Sequence, residues 1–128
     1  MGRARVTVIN DSEEFLDLMR EVLQALGHEM TGMQAVKASL DDVLRTSPDL
    51  LIVDLNLANP PQQMSGWELI VLARSEEKLT KVPIIVCTAD IWELRKRQDD
   101  LARIADVHVL EKPFEVAELH GLIERLLA

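Results

Sequence analysis

Several apolar runs in this 128-residue chain end in side chains that could handle a phosphoryl group and a cation. Residues 6–9, "VTVI", run into Asn10 and Asp11, and "LLIVDL" over residues 50–55 is interrupted by Asp54. "IIVCT" over residues 84–88 stops at Thr88, while "VHVL" over residues 107–110 is followed by Lys112 and Pro113. Mg2+ prefers oxygen ligands, keeps several waters and is commonly held by one or two carboxylates with phosphate oxygens, a demand that Asp11 and Asp54 meet. A carboxylate can also attack a phosphoryl donor to give an acyl phosphate, while a lysine and a metal neutralise the charge of the transferring group. Thr88 can donate a hydrogen bond to that group.

These residues need elements that bring them to one place. Phe15, Leu18, Met19, Val22, Leu23 and Leu26 recur at helical spacing before Gly27, a good C-terminal stop, so strand one is followed by a helix. "HEMTGM" over residues 28–33 reads as a weaker second strand, and Ser39 with Asp42 resembles a capping box opening the short helix "LDDVLRT", which Pro48 ends. The uninterrupted run at 50–55 is that of a strand covered on both faces. A long loop then leads to "GWELIVLARSEEK", a helix apolar nearly all round, and Pro83 precedes strand four. The fourth helix runs from Ile91 to about Ile104, capped by Asp90, with Leu94, Leu101 and Ile104 inward. Val116, Leu119, Leu122, Ile123, Leu126 and Leu127 mark the fifth. Five strands alternating with five helices predict an α/β, doubly wound parallel sheet, whose ligands sit beyond the carboxyl ends of the strands where the strand order reverses. Asn10, Asp11, Asp54, Thr88 and Lys112 then share one rim.

Composition narrows the function. The chain has one domain's worth of residues, taken as a single domain over 1–128 with a core of about 5–127. A net charge of −8 argues against gripping nucleic acid through its phosphates and favours cations and protein partners. Neither a secretory signal nor a membrane-length apolar stretch is read, and Val6 stands where a myristoylation motif wants Ser or Thr, so a soluble, cytoplasmic domain is expected. The lone cysteine, Cys87, lies in an apolar run and is expected in the core.

The motifs together resemble the receiver domain of two-component response regulators from about Arg5 to Leu127. "VIND" is similar to the family's acidic-pair strand, "DLLIVDLNL" to the strand with the phosphoacceptor, "VPIIVCTA" to the strand ending in Ser or Thr then Ala, and "LEKPF" to its Lys-Pro motif. The resemblance implies a CheY-like, flavodoxin-like sheet of order 2-1-3-4-5. It implies Asp54 as phosphoacceptor, Asp11 as direct metal ligand, the Asn56 backbone carbonyl as a further ligand, and Thr88 and Lys112 on the phosphoryl group. It implies Mg2+ binding, which the Asn10 departure described below should weaken, and a cis Lys112–Pro113 bond, a geometry largely confined to X-Pro. The implied partners are a histidine kinase or phosphotransfer protein and a downstream protein or output domain on the face of helix four, strand five and helix five. Neither nucleic acid nor membrane is an expected partner of this domain.

Four departures qualify that expectation. Asn10 replaces the first acid of the pair, which removes a charge worth a few kcal/mol beside a cation at an effective dielectric near ~20. Its oxygen could still accept from a metal-bound water, which leaves it as a weak or water-mediated contributor. Val109 stands three before Lys112 where the family has a ring that swings inward, so signalling needs another route, such as the loop after Thr88. The loop "NLANPPQQMSG" is long and stiffened by a diproline, and "RIADVHVL" lacks the family's Gly-Ala pair.

Plainer explanations exist for each residue. Asn10 and Asp11 could only cap the helix. Asp54 resists that treatment, since a lone buried acid is costly. Thr88 and Lys112 could be a strand end and a surface lysine. His28, His108 and His120 form no cluster in sequence; Trp67 is expected in the core, Trp92 exposed, and "ELRKRQ" is a solvated face or a partner surface. Besides a phosphoaccepting receiver, the chain could be a pseudo-receiver, an interaction module independent of phosphate, for which Asn10 and Val109 speak. A haloacid-dehalogenase-like phosphatase would need a second acid where Asn56 stands, and a flavodoxin would need a phosphate cradle where "NDSEE" stands.

Overall fold

The alternation of the apolar runs decides how the sheet is covered. In the computed structural model, which describes residues 4–36, 39–55, 57 and 64–128, the strands are β1 (Arg5–Ile9), β2 (Glu29–Met33), β3 (Leu50–Val53), β4 (Ile84–Thr88) and β5 (Val107–Glu111). The helices are α1 (Glu13–Ala25), α2 (Asp41–Arg45), α3 (Gly66–Ser75), α4 (Ile91–Ala102) and α5 (Val116–Leu127). All strands are parallel, in the order β2-β1-β3-β4-β5, with Val6 opposite Leu50, Leu51 opposite Ile84 and Ile84 opposite Val107. This is the expected doubly wound, flavodoxin-like architecture.

Successive side chains of a strand point to opposite faces. Ile9, Leu51, Val53, Ile84 and Val86 accordingly join a core with Val43 of α2, Leu69, Ile70 and Ala73 of α3, and Leu101 of α4. Val6, Val8, Leu50, Ile52, Ile85 and Cys87 face the other way, onto Leu16, Met19 and Leu23 of α1 and Leu119, Leu122 and Ile123 of α5. Burial pushes the Cys87 thiol up to about 12, against the pull of Lys112 and with a smaller push from Asp54, so it stays neutral as a core residue.

Local chemistry sets the helix ends. Gly27, at φ 87°, follows the α1 C-cap Leu26; its N–H reaches the Gln24 carbonyl and that of His28 the Leu23 carbonyl, a Schellman stop. Ser65 and Glu68 close a reciprocal capping box at the start of α3, and Asp90 caps α4 by accepting from the Glu93 N–H.

Other boundaries differ from the sequence reading. The N-cap of α2 is Leu40, not Ser39: the Ser39 hydroxyl accepts weakly from the Asp41 N–H at 3.4 Å, and Asp42 pairs with Arg45 instead of reaching back. α3 stops at Ser75 because Glu76 turns to extended backbone, leaving Glu76 to Lys78 outside it. α4 stops at Ala102, two residues early, and β5 runs one further, to Glu111. The stretch before β5, without a Gly-Ala pair, holds Asp106 at φ 56°, a left-handed geometry that Asp tolerates better than most side chains.

Trp67 packs against the edge of the core but is only half-buried, lying under the Arg97 guanidinium at 4.8 Å. Trp92 is 81% exposed. Among the described residues, no helix is long and apolar enough to cross a membrane.

Candidate functional site

β1 lies between β2 and β3, so the chain leaves it in one direction for β2 and comes back on its other side with β3. Strand order reverses there, and the crevice at the carboxyl ends of these strands is where such sheets bind ligands. Asp54 follows the last residue of β3, its N–H bonded to the Ile9 carbonyl at 3.0 Å. That bond fixes the acid beside Asn10, which is buried to 1% exposure, and Asp54 itself is only 8% exposed.

A carboxylate this buried needs partners. Lys112 supplies one, with Nζ 3.0 Å from Asp54 Oδ2, and the Asn10 Nδ2 donates to the same oxygen at 3.1 Å. The Asn10 amide cannot be turned about without loss, because its Oδ1 accepts from the Ser12 N–H at 2.8 Å. A donor therefore faces Asp54 where the family pattern has an acid. What Asn10 offers a metal-bound water is the second lone pair of an oxygen already in use.

Lys112 is held from three sides. Its backbone N–H donates to the Thr88 carbonyl at 2.8 Å, which brings the ends of β4 and β5 together. Its ammonium lies 4.2 Å from the centre of the Phe15 ring, and Phe15 meets Phe114 edge-to-face at 6.4 Å. The Lys112–Pro113 peptide is cis. Thr88 is fully buried at the end of β4, on the same face of the sheet as Ile84 and Val86, and its hydroxyl accepts from the Asp90 N–H at 3.0 Å.

Asp11 is exposed at the rim, and the cap of α1 is Ser12, whose hydroxyl accepts from the Phe15 N–H; the plain capping explanation of Asn10 and Asp11 therefore fails. Two carboxylates, Asp11 and Asp54, suit a magnesium ion that draws its remaining ligands from backbone oxygen and water. Among the described residues no cluster of three or more His, Cys, Asp or Glu side chains is placed to hold a metal. Asn56, the expected source of a backbone ligand, and most of the long loop fall outside the described residues.

The structure thus brings Asn10, Asp54 and Lys112 into direct contact and ties Thr88 to Lys112 through the backbone. Two residues of this neighbourhood escaped the sequence reading. Phe15 counted only as a core position of α1, and the "KPF" motif did not show that a ring four residues beyond Asp11 would meet the lysine. Gly66 counted only as a helix start. A Cβ there would sit 2.1 Å from the Asp54 carbonyl oxygen and 2.8 Å from the Leu55 backbone, so only glycine lets α3 begin this close to the acid.

The three histidines stay apart from the site. The His28 Nδ1 accepts from the Ala4 N–H, His108 meets Asp106 at 2.7 Å, and His120 meets Glu124.

Comparisons with known proteins agree with this fold. Over 84 residues the chain is 29% identical to the polar-differentiation response regulator DivK of Brucella ovis, a match covering 66% of this chain and 65% of that protein. It is 31% identical over 119 residues to the transcriptional regulatory protein YrkP of Bacillus subtilis, covering 93% of this chain but 47% of YrkP. The chain therefore spans less than two thirds of the length of these relatives. The fold superposes on the chemotaxis response regulator CheY4 of Vibrio cholerae with a TM-score of 0.82 at 24% identity, covering 98% of this chain and 100% of that one. It also superposes on the receiver domain of the Pseudomonas aeruginosa sensor histidine kinase PA1611, described with a magnesium ion in its active-site cleft, with a TM-score of 0.75 at 22% identity and 98% coverage of each. The model of the response regulator receiver domain matches residues 6–124, and with the sheet order and rim described above it places this chain in the receiver domain family of two-component signalling.

Proposed function

We propose that residues 1–128 form a single receiver domain that accepts a phosphoryl group on Asp54 from a histidine kinase or phosphotransfer protein in the cytoplasm. The observation that carries this reading is the buried Asp54 carboxylate held by the Lys112 ammonium at 3.0 Å at the strand-order switch point. An oxygen of Asp54 attacks phosphorus, the bond from phosphorus to the donor's imidazole nitrogen breaks, and that nitrogen leaves with the electron pair. Lys112 passes from the carboxylate to a phosphoryl oxygen, and Thr88 offers its O–H to another. The Asn10 amide, already a donor at Asp54, holds the carboxylate without adding a negative charge. Mg2+ bound by Asp11 and Asp54, with the Asn56 carbonyl, would supply further neutralisation, and the magnesium named for the PA1611 receiver supports that assignment. Attack of water on the acyl phosphate restores the acid; beyond gaining and losing this group the domain is not expected to be an enzyme. The signal passes to a downstream protein or output domain through the face of α4, β5 and α5.

A second reading has its own support. Asn10 presents a donor in place of an acid, and Val109 is 42% exposed with no ring to swing, as a phosphate-independent interaction module would allow. Beryllofluoride with Mg2+, followed by fluorine NMR, separates the two. A bound resonance in the wild type that Asp54→Asn and Lys112→Ala remove is expected for the phosphoacceptor; its absence at saturating Mg2+ would favour the second reading.

A further inference from the structure

The chain has two phenylalanines and no tyrosine, and both phenylalanines, from opposite ends of the chain, meet at the site lysine. Phe15 lies in the first turn of α1 and Phe114 between β5 and α5. Lys112 Nζ stands over the Phe15 ring, 4.2 Å from its centre, and Phe114 meets that ring edge-to-face with 82° between the planes. Packing alone does not call for such a ring. Both side chains are only partly buried, at the margin of the core that α1 and α5 share, where an aliphatic side chain would cover apolar neighbours as well. What an aromatic face adds is a negative quadrupole, which attracts an ammonium most where water is kept away. The Lys112 side chain is only 22% exposed, so that attraction is little screened.

The turn that aims Asn10 also aims Phe15. The Ser12 N–H donates to Asn10 Oδ1, and the Ser12 hydroxyl accepts from the Phe15 N–H. Asn10 Nδ2 and Lys112 Nζ converge on Asp54 Oδ2. These contacts close a circuit from Asn10 through Ser12, Phe15 and Lys112 to Asp54 and back. Within it the carboxylate and the ring hold Lys112 differently. Once an Asp54 oxygen bears phosphorus the ammonium must go over to a phosphoryl oxygen, whereas the ring is unchanged by the transfer. A ring attracts over its whole face, so the ammonium can tilt from one oxygen to the next without leaving it. With Asn10 where an acid would stand, one negative charge fewer holds the ammonium, and the ring face supplies part of what is missing.

We propose that Phe15 is a positioning residue for phosphoryl transfer: its ring, braced by Phe114, holds the Lys112 ammonium at Asp54 and stays beneath it as it passes to the phosphoryl group. The proposal rests on the phosphoacceptor reading and adds a residue to it. No bond to Phe15 forms or breaks.

The test places phenylalanines with one, two and three ring fluorines at position 15 of the whole chain, which drains the negative face in steps while keeping the shape. Mass gain is followed over a range of acetyl phosphate concentrations at saturating Mg2+. The limiting rate should fall stepwise along the series, by about tenfold at the third fluorine and in Phe15→Leu. Phe15→Tyr, which keeps the face, should stay within about twofold of the wild type. Before any donor is added, proton NMR should find the Lys112 Cε protons displaced upfield by the ring, a displacement lost in Phe15→Leu. Equal rates along the fluorine series overturn the proposal even if Phe15→Leu is slow or fails to fold, because packing alone would then be at work. Phosphorylation of wild-type Asp54 in that case leaves the phosphoacceptor reading intact. Identical Lys112 shifts in the wild type and Phe15→Leu overturn the proposal as well. A wild type that gains no mass while its Lys112 protons stay upfield overturns the phosphoacceptor reading, and the positioning role with it.

Discussion

Asn10 shows why residue type alone underdetermines a site. Its position was legible, because an amide in place of an acid stands out in "VIND", but its orientation was not. The Ser12 N–H takes the oxygen and leaves the NH2 group aimed at Asp54, a choice made by the turn into α1 and invisible in spacing. Asn10→Asp replaces that donor by a second negative charge. Mg2+ affinity measured by calorimetry should rise at least about tenfold, which is about 1.4 kcal/mol; unchanged affinity would remove position 10 from the cation site. Cys87 carries a prediction of opposite character. In the folded chain its thiol is raised from an ordinary 9.0 to about 12, so above pH 9 the unfolded chain loses a proton that the native one keeps. Stability is then lost as pH rises from 9 toward 12, by up to about 1.4 kcal/mol per pH unit from this group. Urea titrations of the wild type and Cys87→Ala should diverge in slope over that window, and parallel curves would contradict the burial of the thiol.

At the scale of elements, the strands other than β2 were readable because their runs are apolar and rich in β-branched residues, and the two-face alternation of Leu50 to Val53 reappears in the two cores. Helix ends were less readable. Ser39 looks like a cap, yet the chain turns one residue later; "GWELIVLARSEEK" continues in composition past the point where Glu76 turns extended. Close approach was not readable at all. Gly66 has ordinary helix-start neighbours in sequence, and its need arises only from the Asp54 and Leu55 backbone across the site. Gly66→Ala should therefore destabilise the fold by about 1–3 kcal/mol, since backbone rather than a flexible side chain must give way. A thermal melt unchanged by the substitution would show that α3 can back away freely. Ser12→Ala removes the α1 cap and should cost about 1 kcal/mol by the same measurement.

For the molecule as a whole, the fold and the rim that carries the candidate site were legible together, because a doubly wound sheet leaves little choice about where strand ends meet. Asp54, Thr88 and Lys112 each have a plainer explanation alone. The sheet converts three weak signals into one rim, where Lys112 reaches Asp54 by side chain and Thr88 by backbone. Partner chemistry was less legible, since surfaces such as α4 mix charges of both signs and one exposed tryptophan without a pattern that names a ligand. The most direct measurement at this scale is the intact mass of the protein after incubation with acetyl phosphate and Mg2+. The wild type should gain the mass of a single phosphoryl group, located by fragmentation to Asp54, labile in alkali, and lost in Asp54→Asn. No gain at saturating Mg2+, or an equal gain in Asp54→Asn, would contradict Asp54 as the phosphoacceptor.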